Sequence, residues 1–388
     1  MPGGSPPLHV AIIGTRGYPS TYGGFETFVA RLAPYLREQG ARVTVYGHGG
    51  SWKSRVSERD GIVTIASPGL SSKSTSTLTH GASAAWHASR EPFDVALVLN
   101  VANGYFLPLL KRARIPMAVN VDGLEWRRTK WNRFGRAVFA AGAALTARWA
   151  DELVADSVRI QAIWSERFRR SPMFIPYGAD VCAKGTIPRP TSLGVEPGYL
   201  LVVARLVPEN NIELFLDALD LMEEKYEAII VGSANYNSPI VRRLGEAHER
   251  RAVRWLGHVE DQEMLASLWA HCGIYFHGHS VGGTNPALLQ AMGYGAPVIA
   301  FDSPFNREVL GDNGTFVREP TALADAMRVL AETPERQLEM SHEQQRRIAA
   351  AYRWDEICDR YWRLLQSLAG RSDGRGNRVD AASSRTEH

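Results

Sequence analysis

Short apolar runs alternate with helix-length segments along this chain, and the pattern starts over after a break rich in proline and glycine. In the first half the runs are His9–Ile13, Arg42–Tyr46, Asp94–Leu99, Pro116–Val121 and Leu153–Ala155. Helical periodicity falls at Gly24–Gln39, around Gly104–Arg112 and at Trp131–Trp149. Short apolar strands separated by helices call for βαβ units and a parallel sheet. Residues 183–198 hold three prolines, three glycines and no periodicity, which predicts an interdomain linker.

The alternation resumes with Tyr199–Ala204, Ala228–Val231, Val253–Leu256, Ile274–Phe276, Pro297–Ala300 and Thr315–Val317, with helices at about 211–223, 261–271, 285–293 and 320–333. A last helix aligns Trp354, Ile357, Tyr361, Leu364, Leu365 and Leu368 on one face, and a polar tail, expected to be disordered, follows from Gly370. The expectation is two doubly wound α/β domains at 8–182 and 199–352, joined by 183–198, then a helix at 353–369 and the tail at 370–388.

At 388 residues the chain is long enough for two such cores of roughly 150 to 190 residues each. A net charge of +3 is too small to imply a nucleic-acid partner. Cys182, Cys272 and Cys358 lie far apart with no metal-ligand spacing, as expected for a reducing cytoplasm. No signal peptide and no apolar run of about 18 residues is evident, so neither export nor membrane spanning is expected.

Two glycine-rich loops stand out. In Cys272–Gly295, an apolar strand leads through Gly282 and Gly283 to a helix opening on Asn285 and Pro286. Asparagine is a good N-cap, and proline suits the first helical position because an N–H there would have no partner. Unpaired amides and the positive helix end then meet at one spot, an anion cradle, although an ordinary strand-to-helix turn would look the same. The second loop, Gly14, Gly17, Gly23 and Gly24 after the first strand, lacks the spacing of a dinucleotide fingerprint. One loop per domain suggests a ligand held between the domains.

The segments GTRGYPSTYGGFETF, VNVDGLEWRRTKW, RLVPENN and HSVGGTNPALLQAM, in this order, resemble retaining nucleotide-sugar glycosyltransferases of the GT-B fold, family 4. The resemblance runs from Val10 to about Leu368. Within the family it is strongest to bacterial rhamnosyltransferases that build surface polysaccharide. It implies two Rossmann-like domains facing a cleft, with the C-terminal helix crossing back to the N-terminal domain.

It also implies roles. Arg205 would reach the leaving diphosphate, where a guanidinium can bridge phosphate oxygens. Asn210 stands where the family usually has a lysine, and Gly282 and Gln290 stand where two glutamates are usual. Gly23, Gly24, Asn210, Gly282, Gly283, Thr284, Asn285 and Gln290 would line the donor. Asp122, in place of a frequent histidine, would touch the sugar or take up the acceptor proton, though an Asp-Gly turn explains it too. Glu26, Arg127 and His279 would serve sugar or acceptor, and Glu26 equally suits a helix start. His277 and His279 flank the cradle with no carboxylate or cysteine nearby, which favours hydrogen bonding over metal binding. The resemblance implies no essential metal and no cofactor beyond the nucleotide-sugar co-substrate.

Residues 126–136 gather five positive charges and three aromatics ahead of a stripe formed by Trp131, Phe134, Val138, Leu145 and Trp149. The stripe is expected to pack on the sheet; the alternatives are contact with an anionic membrane surface or with an acceptor diphosphate. The expected activity is transfer of a sugar, with L-rhamnose the candidate, to a glycan or lipid-linked glycan, in the cytoplasm or on the inner membrane face. A nucleotide-sugar epimerase of the same fold and a degenerate sugar-nucleotide-binding protein are the alternatives.

Overall fold

A computed structural model describes residues 6–20, 23–49, 55–70, 76–121, 123–127, 132–183, 185–222, 226–233, 239–312 and 314–383, with side chains to Arg371 except that of Arg127. The chain divides into two units, one holding the chain to Trp126, residues 131–175 and the chain from Asp355, the other holding Arg127–Lys130 and Pro176–Trp354.

In the first unit the elements are β1 His9–Ile13, α1 Gly24–Glu38, β2 Arg42–Gly49, β3 Arg55–Arg59, β4 Ile62–Pro68, α2 Ser76–Ala88, β5 Val95–Leu99, α3 Leu107–Arg112, β6 Met117–Asn120, α4 Arg133–Trp149, β7 Glu152–Ala155, α5 Val158–Phe168 and β8 Met173–Phe174. The strand order is β3-β4-β2-β1-β5-β6-β7-β8. Every ladder is parallel except β3 on β4. Parallel strands are covered on both faces, which is why Val95–Leu99 reads as an unbroken apolar run and is wholly buried.

Sequence periodicity missed β3, whose residues are all exposed. Its hairpin to β4 turns on Asp60 and Gly61, both at positive φ (54° and 70°), the backbone that an Asp-Gly pair favours.

Helix α4 corrects the expected stripe. Its buried residues are Gly142, Ala143 and Thr146, whereas Phe134 is 77% exposed. The helix lies against the 3-10 segment Val101–Phe106, and a Cβ on Gly104 would stand 2.2 Å from the Gly142 carbonyl. So close an approach admits only small side chains on that face; of the rest of the expected stripe, Val138, Leu145 and Trp149 are half-buried and Trp131 lies outside the described residues.

In the second unit β9 Leu200–Val203, α6 Ile212–Asp220, β10 Ala228–Val231, α7 Pro239–Glu249, β11 Arg254–Gly257, α8 Gln262–His271, β12 Ile274–His277, α9 Pro286–Gly293, β13 Val298–Phe301, α10 Pro304–Leu310, β14 Thr315–Val317, α11 Pro320–Ala331 and α12 Pro334–Ala351 build a parallel sheet of order β11-β10-β9-β12-β13-β14. Leu200, Val202, Phe215, Ile274, Phe276 and Met327 sit in its core, and the Phe215 and Phe276 rings stack 5.8 Å apart. Residues of the expected linker lie in this unit along α8: Ser267 donates to the Pro188 carbonyl at 2.6 Å, and the Gly198 N–H donates to that of His271 at 3.0 Å.

The last helix, α13 Trp354–Ser383, returns to the first unit. Asn120 Nδ2 donates to the Tyr361 hydroxyl at 2.9 Å, and the Phe28 and Tyr361 rings lie 4.7 Å apart. The helix runs on to Ser383, past the end expected at 369 and into the tail expected to be disordered, and residues 384–388 lie outside the described residues.

Candidate functional site

In the second sheet the strand order reverses between β9 and β12, and open α/β sheets bind ligands beyond the carboxyl ends of their strands at such a point. The two loops that leave there are residues 204–211 and 278–285. They are tied together closely. A Cβ on Gly278 would stand 2.1 Å from the Asn210 carbonyl, so no other residue admits this approach. Asn211, held at φ 48°, donates through Nδ2 to the Gly278 carbonyl at 2.6 Å, and both the N–H and the hydroxyl of Ser280 donate to the Glu209 carbonyl at 2.9 Å.

Asn210, expected at the donor, is buried, and both ends of its amide are used inside the protein. Nδ2 donates to the Arg205 carbonyl at 2.7 Å, which orients Oδ1 to accept from His279 Nδ1 at 2.7 Å. A neutral amide fits between a carbonyl and an N–H where an ammonium could only donate. Asn210 and His279 therefore shape the Arg205 loop, and Asn306 supports them by donating to the His279 carbonyl at 2.8 Å. Arg205 itself is exposed just past β9.

The cradle has the expected local geometry. Gly282 lies at φ 148°, a conformation that disfavours any side chain, and Gly283 and Thr284 are buried. Asn285 caps α9, its Oδ1 accepting from the Ala287 N–H at 3.0 Å, with Pro286 in the first turn. The freed amides and the helix dipole make this end attractive to an anion. Gln290, half-buried on α9, makes no side-chain hydrogen bond to any described residue.

In the first unit Gly23 is the N-cap of α1 with extended backbone and no side-chain cap, and Gly24 opens the helix. Glu26 is buried and accepts from the Arg16 N–H at 3.3 Å, while a Cβ on Gly23 would stand 2.9 Å from its Oε2. Its carboxylate thus closes the first glycine loop onto the start of α1. Asp122 lies outside the described residues. Arg127 ends a 3-10 turn over Glu125–Arg127, and its side chain is not among those described.

His277 is fully buried on β12 behind the cradle; its Nδ1 shares a 3.1 Å hydrogen bond with the Tyr275 hydroxyl. Burial lowers its pKa to about 3, so it is neutral at pH 7. The unfolded chain, near 6.5, binds that proton first as pH falls, so stability is complete above about 6.5 and declines through the window down to about 3. At pH 5 this linkage costs roughly 2 kcal/mol. His277→Asn is expected to show a smaller drop in Tm between pH 7 and pH 5 than the parent chain; equal drops would refute the assignment.

Both halves of the chain match known protein families. A Glycosyltransferase Family 4 model matches residues 22–181, and a Glycosyl transferases group 1 model matches residues 184–347. The chain is 29% identical over 122 residues to the O-antigen chain mannosyltransferase B of Escherichia coli, covering 30% of this chain and 32% of that protein. The curated relatives are matched over about a third of their length. Among solved structures, sucrose-phosphate synthase from Thermosynechococcus elongatus superposes with a TM-score of 0.78 at 18% identity, over 93% of this chain and 99% of that one. Anabaena Alr3699/HepE in complex with UDP-glucose gives 0.75 at 18% identity, over 93% and 100%. At such identities the likeness is one of fold.

Proposed function

The chain belongs to the GT-B glycosyltransferases, and on that premise we propose that it moves a sugar, L-rhamnose, from a nucleotide-diphosphate donor to a glycan or lipid-linked glycan, with retention and without an essential metal. The observation that carries this reading is the joining of the Arg205 loop to the cradle at the switch point of the second sheet. An exposed arginine on a loop tied to a glycine loop that opens a helix suits a leaving diphosphate. The UDP-glucose complex of HepE supports a nucleotide-sugar donor, and the E. coli mannosyltransferase supports a place in surface polysaccharide synthesis.

In this mechanism the acceptor hydroxyl attacks from the face the diphosphate leaves, and the departing phosphate helps to accept its proton, so no covalent intermediate is needed. Arg205 and the amides of Gly283, Thr284 and Asn285 offset the charge that develops as the glycosidic bond breaks. Gln290 holds the ribose as a neutral partner. Asp122 is assigned to the sugar by resemblance alone.

A thermal-shift screen tests the donor, because a ligand that binds only the folded state raises Tm. dTDP-rhamnose is expected to raise it by several degrees. A shift with UDP- or GDP-sugars and none with dTDP-rhamnose would discard rhamnose, and no shift with any would sink the reading. Product analysis separates the alternatives: an altered donor sugar without acceptor would mark an epimerase, and donor binding with neither transfer nor hydrolysis a binding protein.

A lipid-linked acceptor would bring the chain to the cytoplasmic face of a membrane. Among the described residues no helix is long and apolar enough to cross one. Phe134, with exposed Arg133 and Arg136 beside it on α4, suits peripheral contact. Co-sedimentation with anionic vesicles is expected, weakened several-fold in Phe134→Ala; the same recovery with neutral vesicles would count against it.

A further inference from the structure

At the carboxyl edge of the first sheet, where the end of β2 meets the first glycine loop, three polar side chains converge with hydrogen-bonding capacity left unused. His48 lies in the last two residues of β2 and pairs in register with Ser67 on β4. Residues paired across parallel strands send their side chains to the same face. That face is covered by α2, since Tyr46, two residues before His48, bonds through its hydroxyl to His87 Nδ1 at 3.0 Å. From α2, His80 stacks flat on His48, with ring centroids 4.0 Å apart and planes within 7°.

The hydrogen bonding of this cluster is incomplete. His80 Nδ1 lies 2.8 Å from the Ser67 carbonyl, so Nδ1 carries the proton and Nε2 presents a lone pair. No described residue bonds that Nε2 or either ring nitrogen of His48. Ser67 is 2% exposed and its hydroxyl has no partner; His80 is 5% exposed. An unpaired buried hydroxyl is costly, and native structures seldom retain one without a use. The chain is folded tightly around the cluster: a Cβ on Gly69 would stand 2.6 Å from His80 Nδ1, and one on Gly47 2.8 Å from the Arg16 carbonyl.

We propose that His48, Ser67 and His80 form a subsite for adjacent hydroxyl groups of a sugar ring. That this sugar belongs to the acceptor rests on the transferase reading above. A sugar hydroxyl both donates and accepts, so one can give a proton to His80 Nε2 while its neighbour pairs with Ser67 and His48.

The protonation state of His48 favours a neutral ligand over phosphate. Among the described residues, Arg16 from the loop after β1 and His80 from α2 face His48. Burial first, and then these two neighbours, push the His48 pKa down to about 4. At pH 7 roughly one His48 ring in a thousand is protonated. A phosphate would therefore meet an uncharged His48 ring, which offers it no opposite charge. A sugar site of this kind weakens as pH falls towards 4, whereas an anion site would strengthen.

The test is an NMR titration of the full chain labelled at histidine, using methyl α-L-rhamnopyranoside, methyl α-D-mannopyranoside and inorganic phosphate as probes. At least one glycoside is expected to shift the His48 and His80 ring signals saturably at pH 7, and at least five-fold more weakly at pH 4.5. Ser67→Ala and His48→Phe remove atoms that make no bond within the described protein, so both variants should fold. Each is expected to weaken the glycoside titration at least five-fold. No shift with either glycoside, shifts with phosphate alone, or titrations unchanged in both variants would overturn the subsite. In transfer assays His48→Phe is expected to raise the acceptor KM at least five-fold more than it lowers kcat; a fall in kcat alone would overturn the acceptor assignment. If the parent chain turns over no donor, the transferase reading falls, while the glycoside titration still decides the subsite.

Discussion

Arg205→Ala is expected to lower the rate of sugar transfer by about 10²–10³-fold, the usual effect of removing one preorganised group that stabilises charge in a transition state. The side chain is exposed beyond β9, so its loss should leave folding intact. Its backbone is held independently: the Arg205 carbonyl accepts from the Val207 N–H at 2.8 Å and from Asn210 Nδ2 at 2.7 Å. The variant should therefore melt within a degree or two of the parent while kcat collapses. Arg205→Lys should recover only part of the rate, because an ammonium keeps the charge but loses the planar fork that bridges two oxygens. A kcat within a factor of three of the parent in Arg205→Ala would remove this residue from the mechanism.

Gly278→Ala should produce the largest combined loss of stability and activity. The added methyl would stand 2.1 Å from the Asn210 carbonyl and 3.0 Å from the Phe276 ring, and the first of these neighbours is backbone. The two loops would have to part, straining the bonds from Asn211 to the Gly278 carbonyl and from Ser280 to the Glu209 carbonyl. Overpacking of this kind costs about 1–3 kcal/mol, and here it also shifts the loop that aims Arg205. Calorimetry should show a Tm lower by several degrees, and transfer assays at least a ten-fold loss. Gly245→Ala is the control. It lies within α7 with no atom within 4 Å of the new methyl, so the same chemical change should stabilise by roughly 0.5–1 kcal/mol. Equal behaviour of the two variants would show that the loop contact carries no special weight.

The legible parts of the sequence were those with local causes. Apolar runs such as Val95–Leu99 and Ile274–His277 became central parallel strands because burial on both faces demands continuous hydrophobicity. Strand β3 escaped that reading: RVSER lies on the sheet edge with nothing to bury, and only the Asp60-Gly61 turn marks it. Helix α4 misled for the opposite reason. Its bulky stripe drew attention, but contact with Val101–Phe106 selected Gly142, Ala143 and Thr146, whose merit is small size.

The cradle was readable because each of its residues answers a backbone need close by: Gly282 a positive φ, Asn285 a cap, Pro286 an amide with no partner. Local patterns along the chain thus specify two doubly wound halves and a strand–loop–helix cradle in the second. What meets around that cradle is settled by the packed fold. It paired Asn210 with His279 across 69 residues, turned the amide inward to hold Arg205's loop, and stacked His48 on His80 from different elements. Strands, caps and turns follow from backbone preferences spanning a few residues, whereas side-chain partners are chosen by packing among segments distant in the chain, which no local pattern encodes.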